Sequence, residues 1–167
     1  MSGRDAIVAE IPRLRRYARA LTGRADAADD LVQDTLTRAL EKWHFWQRER
    51  ELRPWLFSIM HNLHVDALRR SHPVVFCDAD DLPISVQRAE QHDALVLRDL
   101  ERSLALLPLE QREVLLLVGL EELSYAEVAR TLAIPPGTVM SRLARARARL
   151  REILAGAAVP VLKVVKK

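Results

Sequence analysis

Residues 124–127, Ser-Tyr-Ala-Glu, strongly constrain the local structure because they match a helix N-terminal capping box. The Ser124 hydroxyl can accept from the Glu127 amide while the Glu127 carboxylate accepts from the Ser124 amide, so a helix begins here. We expect it to reach Leu132. A tight turn with two prolines then leads to another helix that starts around Thr138. Two helices joined in this way predict a helix-turn-helix.

The second of these helices separates apolar from cationic residues when it is drawn at about 100° per residue. An apolar stripe that would pack on the preceding helices comprises Val139, Leu143, Ala146, Leu150 and Ile153. A polar and cationic face, free to enter a major groove, comprises Thr138, Ser141, Arg142, Arg145 and Arg149. The alternative is a solvated helix whose arginines only maintain solubility. The capping box, the turn length and the segregated arginines together favour a DNA-reading helix.

Helical periodicity extends over most of the remaining chain, and no alternating strand pattern competes with it, which predicts an all-α fold. In a first helix, Leu14, Tyr17, Ala18 and Leu21 recur before a break at Thr22 and Gly23. A second, capped by Asp26, would bury Leu31, Val32, Thr35, Leu36, Ala39 and Leu40. A third would begin at Pro54 and share a face among Leu56, Ile59, Leu63 and Ala67. After the linker, one helix carries Leu97, Leu100, Leu104 and Leu107. Pro108 then opens another helix, which runs towards Gly119.

The periodicity disappears between residues 71 and 93, where prolines and aspartates are scattered among apolar residues. This composition is typical of a flexible linker between two helical domains. We therefore expect a first domain over residues 1–70, a linker over 71–93, a second domain over 94–155 and a tail over 156–167.

Charge and cysteine content narrow the functional classes. The net charge of +3 is too small by itself to indicate a nucleic-acid partner, but five arginines lie between Arg142 and Arg151. A single cysteine, Cys77, excludes an internal disulfide. Neither a signal peptide nor an apolar run of membrane-spanning length is apparent, so we expect a cytoplasmic protein.

The sequence contains no motif for a catalytic nucleophile or a phosphate-binding loop, and we expect neither an enzyme nor a cofactor. His61 and His64, with His72 and Cys77 nearby, make a metal site arithmetically possible. Because a second cysteine and a carboxylate at matching spacing are missing, we interpret these histidines as surface or core residues and predict no metal.

Several stretches in both predicted domains resemble the extracytoplasmic-function (ECF) sigma factors of bacterial RNA polymerase. Residues 104–114, the capping box and residues 137–147 resemble the family's C-terminal domain. Residues 29–36 are similar to its polymerase-binding helix, and residues 55–62 with Asp66, Arg69 and Arg70 are similar to its promoter-melting helix. Residues 14–19 and the Val118-Gly119 pair resemble the general-stress subgroup of alphaproteobacteria.

The resemblance implies a factor that binds the clamp of the β′ subunit of core RNA polymerase. It implies that the second domain reads the upstream promoter element as duplex DNA, and that the first traps the downstream element as a single strand. An anti-sigma factor is an expected partner, and membrane insertion is not expected.

Met140 departs from the lysine common at its position, and Pro135-Pro136 departs from the usual polar turn. These departures leave the preferred promoter sequence open.

Strand trapping needs aromatic surfaces and cations, and residues 43–53 lie where the family carries its base-capture loop. The expected downstream-element residues are Trp46, Arg48, Arg53, Asn62, Arg69 and Arg70. Trp43 and Phe45 could instead only cap the core of the first domain. The less favoured alternative for Arg69 and Arg70 is a solvated helix end.

The expected polymerase-binding residues lie opposite the buried stripe of the second helix: Asp30, Gln33, Asp34, Thr37 and Arg38. This acidic and polar surface could meet basic residues of the clamp. For Asp29 and Asp30, stabilisation of the helix dipole is an alternative explanation.

Two other classes of protein are compatible with a helix-turn-helix. A sigma-like decoy would sequester an anti-sigma factor without touching promoters, and would have little reason to carry the face of Arg142, Arg145 and Arg149. A recombinase with an accessory helix-turn-helix would need a catalytic nucleophile, which residues 1–70 do not suggest.

Overall fold

The computed structural model describes residues 3–46, 51–71 and 94–158, and all regular structure within these ranges is helical. The elements in chain order are α1 (Gly3–Thr22), α2 (Ala25–Glu41), a 3-10 turn (Trp43–Phe45), α3 (Leu52–Ser71), α4 (Ala94–Ala105), α5 (Leu109–Gly119), α6 (Tyr125–Leu132) and α7 (Pro136–Ala158). The predicted all-α class is confirmed. No helix in the described ranges is both long and apolar enough to cross a membrane.

Helices α1, α2 and α3 pack together as the first domain. Its core contains Tyr17, whose ring meets the edge of Phe57 at a centroid distance of 4.9 Å, together with the buried Leu14 and Leu21. Burial raises the pKa of the Tyr17 hydroxyl well above its usual value. Helix α1 ends as predicted, because Gly23 adopts a φ of +69°, a conformation that disfavours any residue with a side chain.

Two helix starts in the first domain differ from the prediction. Asp26 does not cap α2, because Arg24 occupies the N-cap position and Asp26 lies in the first turn. The Arg24 guanidinium lies 2.7 Å from the Asp26 carboxylate, and this hydrogen bond lowers the pKa of Asp26. Helix α3 begins at Leu52 rather than at Pro54. Pro54 is still tolerated there, since amides in the first turn have no partner within the helix.

Several apolar residues lie on a different face from the one predicted. Leu40 and Leu100 were expected in the core, but both are exposed. On α3, Phe57 and Met60 are buried while Ala67 is exposed. Leu56 and Ile59 are buried as predicted, so the buried stripe of α3 is wider than predicted rather than displaced, because this helix meets α1 and α2 on one side and α6 on another.

Helices α4 to α7 form the second domain, in which α7 packs on α4, α5 and α6. Its core includes Val114, Leu117, Val128, Val139 and Leu143, all nearly inaccessible to solvent. Helix α7 starts two residues earlier than predicted and ends three residues beyond the expected boundary at 155. Its early start is possible because proline suits the first position of a helix.

The two domains also pack against each other: α1 contacts α4 and α5, and α3 contacts α6. The Arg112 guanidinium donates to the Leu21 carbonyl at 2.8 Å, and the Thr131 hydroxyl donates to the Pro54 carbonyl at 3.4 Å. The expected linker lies outside the described residues, except for Ser71 at the end of α3. Thus the sequence predicts two domains, and the structure adds that they are docked.

Candidate nucleic-acid interface

The helix-turn-helix forms as the capping box requires. The Ser124 amide donates to Glu127 Oε2 at 2.6 Å, and the Glu127 amide donates to Ser124 Oγ at 3.2 Å. Helix α6 ends at Leu132, and the next residue, Ala133, caps it in the left-handed conformation with a φ of 53°. The amide of Ile134 then donates to the Ala129 carbonyl at 3.0 Å. These bonds satisfy both ends of α6 and fix the direction in which α7 leaves the turn.

The apolar stripe predicted for α7 is the one that packs on the domain. Val139, Leu143, Ala146 and Ile153 are buried, and Leu150 is partly buried against the same core. The opposite side of the first turns is open to solvent at Met140, Ser141, Ala144 and Arg145. This exposed face carries one hydroxyl, one guanidinium and two apolar side chains.

The structure separates the arginines that the wheel placed together. Arg142 Nη2 lies 3.3 Å from Glu110 Oε2, and only 23% of the Arg142 side chain is exposed. Arg149 is also half-buried, whereas Arg145 is exposed. Thr138 is half-buried, and its carbonyl accepts from the Ser141 hydroxyl at 3.1 Å. Ser141 and Arg145 are therefore the most accessible members of the predicted face.

Three tryptophans form a cluster at the end of the first domain. Trp43 and Trp46 stack with centroids 4.8 Å apart, and Trp46 lies 6.2 Å from Trp55. Gly3 leaves room for the Trp43 indole, which any side chain at that position would overlap. The Trp46 Nε1 atom is buried without a hydrogen-bond partner in the described ranges. Trp46 is thus held mainly by contacts of its ring with the other two indoles.

Phe45 differs from its aromatic neighbours because it is 85% exposed. It does not cap the core, whereas Trp43 does pack against it. The 3-10 turn directs the Phe45 ring away from the domain while Trp43 and Trp46 stack behind it. An apolar ring so exposed is available for stacking on a ligand.

The remaining downstream candidates occupy different environments. Arg53 forms a two-point ion pair with Glu10, at 3.0 Å from Nε and 3.3 Å from Nη2. Asn62, Arg69 and Arg70 are exposed along the second half of α3. Arg48 lies outside the described residues.

The polymerase-binding candidates share the outer face of α2. Each of them is exposed, while α2 turns its buried residues towards α1 and α3: the exposed set is Asp30, Gln33, Asp34, Thr37 and Arg38. Arg38 Nη1 lies 3.8 Å from Glu41 on the same helix. The packing of the two domains leaves this face open.

Sequence reasoning missed the carboxylates that join the domains. Glu121 is fully buried, with Oε1 3.0 Å from Arg16 and Oε2 3.6 Å from Arg13. The longer distance is an ion pair but not a hydrogen bond, so Oε2 has no hydrogen-bond partner among the residues that the structure describes. Arg16 also donates to the Leu120 carbonyl at 3.2 Å. The second domain therefore inserts a negative charge against two cations of α1.

A second buried carboxylate, Glu113, contacts the first domain. Its Oε1 lies 2.6 Å from His61 Nδ1, so the carboxylate accepts when that nitrogen carries the proton. Glu113 lies beside Val114 and four residues before Leu117, within the buried stripe of α5. An acid inside an apolar stripe is the signal in the sequence that could have indicated a buried ion pair.

Comparison with known proteins matches both domains. Residues 7–61 match the family model described as the Sigma2 domain of PhyR, and residues 97–150 match the model described as Sigma-70, region 4. The chain is 39% identical over 152 residues to the ECF RNA polymerase sigma factor EcfG of Rhodopseudomonas palustris, covering 90% of this chain and 84% of that protein. It is 35% identical over 143 residues to the ECF RNA polymerase sigma factor SigM of Mycobacterium tuberculosis, covering 84% and 71% respectively.

Two solved structures also have a fold similar to that of this chain. The sigma factor RpoE of Bartonella quintana, in complex with the anti-sigma factor NepR, superposes with a TM-score of 0.74 at 32% identity, covering 91% of this chain and 96% of that one. CnrH, in complex with the cytosolic domain of CnrY, superposes with a TM-score of 0.69 at 27% identity, covering 93% and 91%.

Two helical domains, the first like a sigma region 2 and the second a region 4 with an exposed helix-turn-helix, define a transcription-initiation factor of the sigma-70 type. The chain belongs to the extracytoplasmic-function family of RNA polymerase sigma factors. It is an alternative sigma factor, which directs transcription initiation by RNA polymerase at specific promoters.

Proposed function

We propose that the two domains divide promoter recognition between duplex and single-stranded DNA. Helix α7 of the second domain reads the upstream element in the major groove, and the first domain holds one strand of the melted downstream element. The observation that carries the proposal is the exposed start of α7, since recognition helices contact base edges with their N-terminal residues. Neither step requires chemistry by the protein itself.

For the upstream element, Arg145 and Ser141 are the side chains best placed to reach bases. An exposed guanidinium can donate two hydrogen bonds to guanine, and a hydroxyl can pair with any base. Arg142 is largely covered and pairs with Glu110, so it serves more readily to hold α7 against α5. Thr138 and Arg149 flank the exposed face and suit phosphate contacts.

For the downstream element, we assign the tryptophan cluster and Phe45 different roles. Phe45 offers an exposed ring on which an unpaired base can stack, while Trp46 backs the turn and keeps it rigid. Asn62 on α3 suits a base contact. The exposed Arg69 and Arg70 suit the sugar-phosphate backbone, as Arg53 would at the other end of α3. For Arg48, which lies outside the described residues, the same role rests on the sequence alone.

Core polymerase binds, in this proposal, through the outer face of α2. The carboxylates of Asp30 and Asp34, together with Gln33 and Thr37 on the same face, present an acidic and polar surface to the clamp of the β′ subunit. Arg38 would add a cation at its edge.

Transcription in vitro from a promoter library, with this protein and core polymerase, tests whether the two domains recognise different promoter elements. Arg145→Ala should weaken binding to the selected upstream duplex by about 1–3 kcal/mol and relax base preference at one position. Arg142→Ala should weaken binding to the same duplex by less than Arg145→Ala does. Arg151→Ala, an exposed arginine further along α7, serves as the matched control. Unchanged affinity and unchanged preference in Arg145→Ala would remove the upstream assignment.

An anti-sigma protein is the second proposed partner. The solved structure of the related RpoE is a complex with an anti-sigma factor. The resemblance of residues 14–19 and the Val118-Gly119 pair to the general-stress subgroup is the basis for proposing a role in general stress. Run-off transcription separates this proposal from the decoy alternative, since a decoy would bind the partner and yet direct no transcript. We propose that a protein with this activity acts in the cytoplasm.

A further inference from the structure

The exposed face of α7 contains an apolar side chain that the fold does not use. Met140 is 53% exposed, although it lies between the buried Val139 and the polar Ser141. Ala144, one helical turn further on, is also exposed. Residues four apart on a helix are neighbours, so Met140 and Ala144 form one small apolar patch beside Arg145.

This patch lies in the first turns of the helix, from which side chains reach base edges. Of the groups that a major groove presents, the 5-methyl of thymine is the apolar one. A methionine side chain is flexible and polarizable, so it can adapt its contact to a methyl group at the floor of the groove. The short Ala144 side chain leaves space beside it for the base pair to approach.

We propose that Met140, supported by Ala144, packs on the 5-methyl group of a thymine in the upstream element and so determines the preference at that base pair. The inference deepens the proposed reading of duplex DNA by α7 and rests on it. Arg145 and Ser141 supply polar contacts, whereas Met140 supplies discrimination by an apolar contact. A lysine at this position would instead favour acceptor groups such as those of guanine.

Uracil substitution isolates the methyl group, because uracil differs from thymine only by its absence. Holoenzyme assembled from the full chain and core polymerase first selects upstream elements from a randomised duplex pool. Each thymine of the selected element, on both strands, is then replaced by uracil. One replacement should weaken wild-type binding about fourfold, as expected for the loss of one buried methyl-sized group.

The same thymine-to-uracil change should have no effect on holoenzyme carrying Met140→Ala. Leu154→Ala removes another exposed apolar side chain of α7, beyond its first turns, and should keep the full uracil effect. If every thymine can be replaced without loss, or if the effect persists in Met140→Ala, the inference is wrong.

Arg145→Ala, measured on the same duplexes, distinguishes failure of this inference from failure of the proposed function. Loss of affinity in Arg145→Ala without any uracil effect would overturn only the role of Met140. Unchanged affinity in both Arg145→Ala and Met140→Ala would overturn the reading of the upstream element by α7.

Discussion

Replacing Arg16 with glutamine should loosen the packing of the first domain on the second. Glu121 is 0% exposed, and its Oε1 would lose the cation 3.0 Å away. Removing one partner of a buried ion pair costs about 3–5 kcal/mol. Arg13 remains near Oε2, and Arg16 is half exposed, so we expect about 1–3 kcal/mol. Separation of the domains would return Glu121 to water, and the docking equilibrium should shift by about 5- to 150-fold.

Small-angle X-ray scattering and hydrogen exchange on the full chain measure this shift. The radius of gyration should rise in Arg16→Gln, and amides of α5 should exchange faster. Because the linker lacks helical periodicity, proteolysis should cut first within residues 71–93 and release two folded halves. Those halves should separate faster in the variant than in the wild type.

Arg15→Gln is the matched control, since it makes the same charge change at an exposed neighbouring position of α1. It should leave docking unchanged. If Arg16→Gln and Arg15→Gln give the same radius of gyration and the same exchange, the buried carboxylate does not hold the domains together and the reasoning is refuted.

Reversing the charge at Asp34, with Gln33 made bulky, should weaken core-polymerase association about tenfold or more while helical content by circular dichroism stays constant; undiminished affinity in a titration would contradict the α2 assignment. Phe45→Ala should reduce permanganate reactivity of the melted strand, because a stacking surface is worth about 1–3 kcal/mol per base. Trp46→Ala should reduce it too, because the turn that presents Phe45 loses the ring that supports it, and both variants should spare upstream-duplex binding. Normal melting in the two variants would mean that this turn only packs. Burial and the nearby Arg112 lower the pKa of His64 to about 4. On acidification the imidazole is therefore protonated in the unfolded chain at a higher pH than in the folded protein, and the free energy of unfolding should fall as the pH drops from about 6.5 towards 4. After allowance for its partial exposure, urea unfolding should show His64→Gln losing about 1 kcal/mol less than the wild type between pH 7 and pH 5, and equal losses would contradict this.

The sequence by itself determined the helical class, the two domains and the helix-turn-helix. These features depend on interactions between residues close in the chain. The capping box joins Ser124 to Glu127 within one turn, Gly23 ends α1 by its own conformation, and the apolar stripe of α7 repeats at helical spacing. Local hydrogen bonds and periodic burial are therefore readable before any tertiary contact is known.

Only the tertiary structure decided which predicted side chains are accessible. Arg142 and Arg145 are equivalent on a helical wheel, yet α5 brings Glu110 to one and leaves the other in solvent. Likewise, Trp46 stacks on Trp43 while Phe45 turns outward, although both are aromatic residues of one short segment. The pairing of Glu121 with Arg16 joins residues 105 positions apart. Such contacts depend on how whole helices meet, and periodicity within one helix carries no information about the neighbour that will cover it.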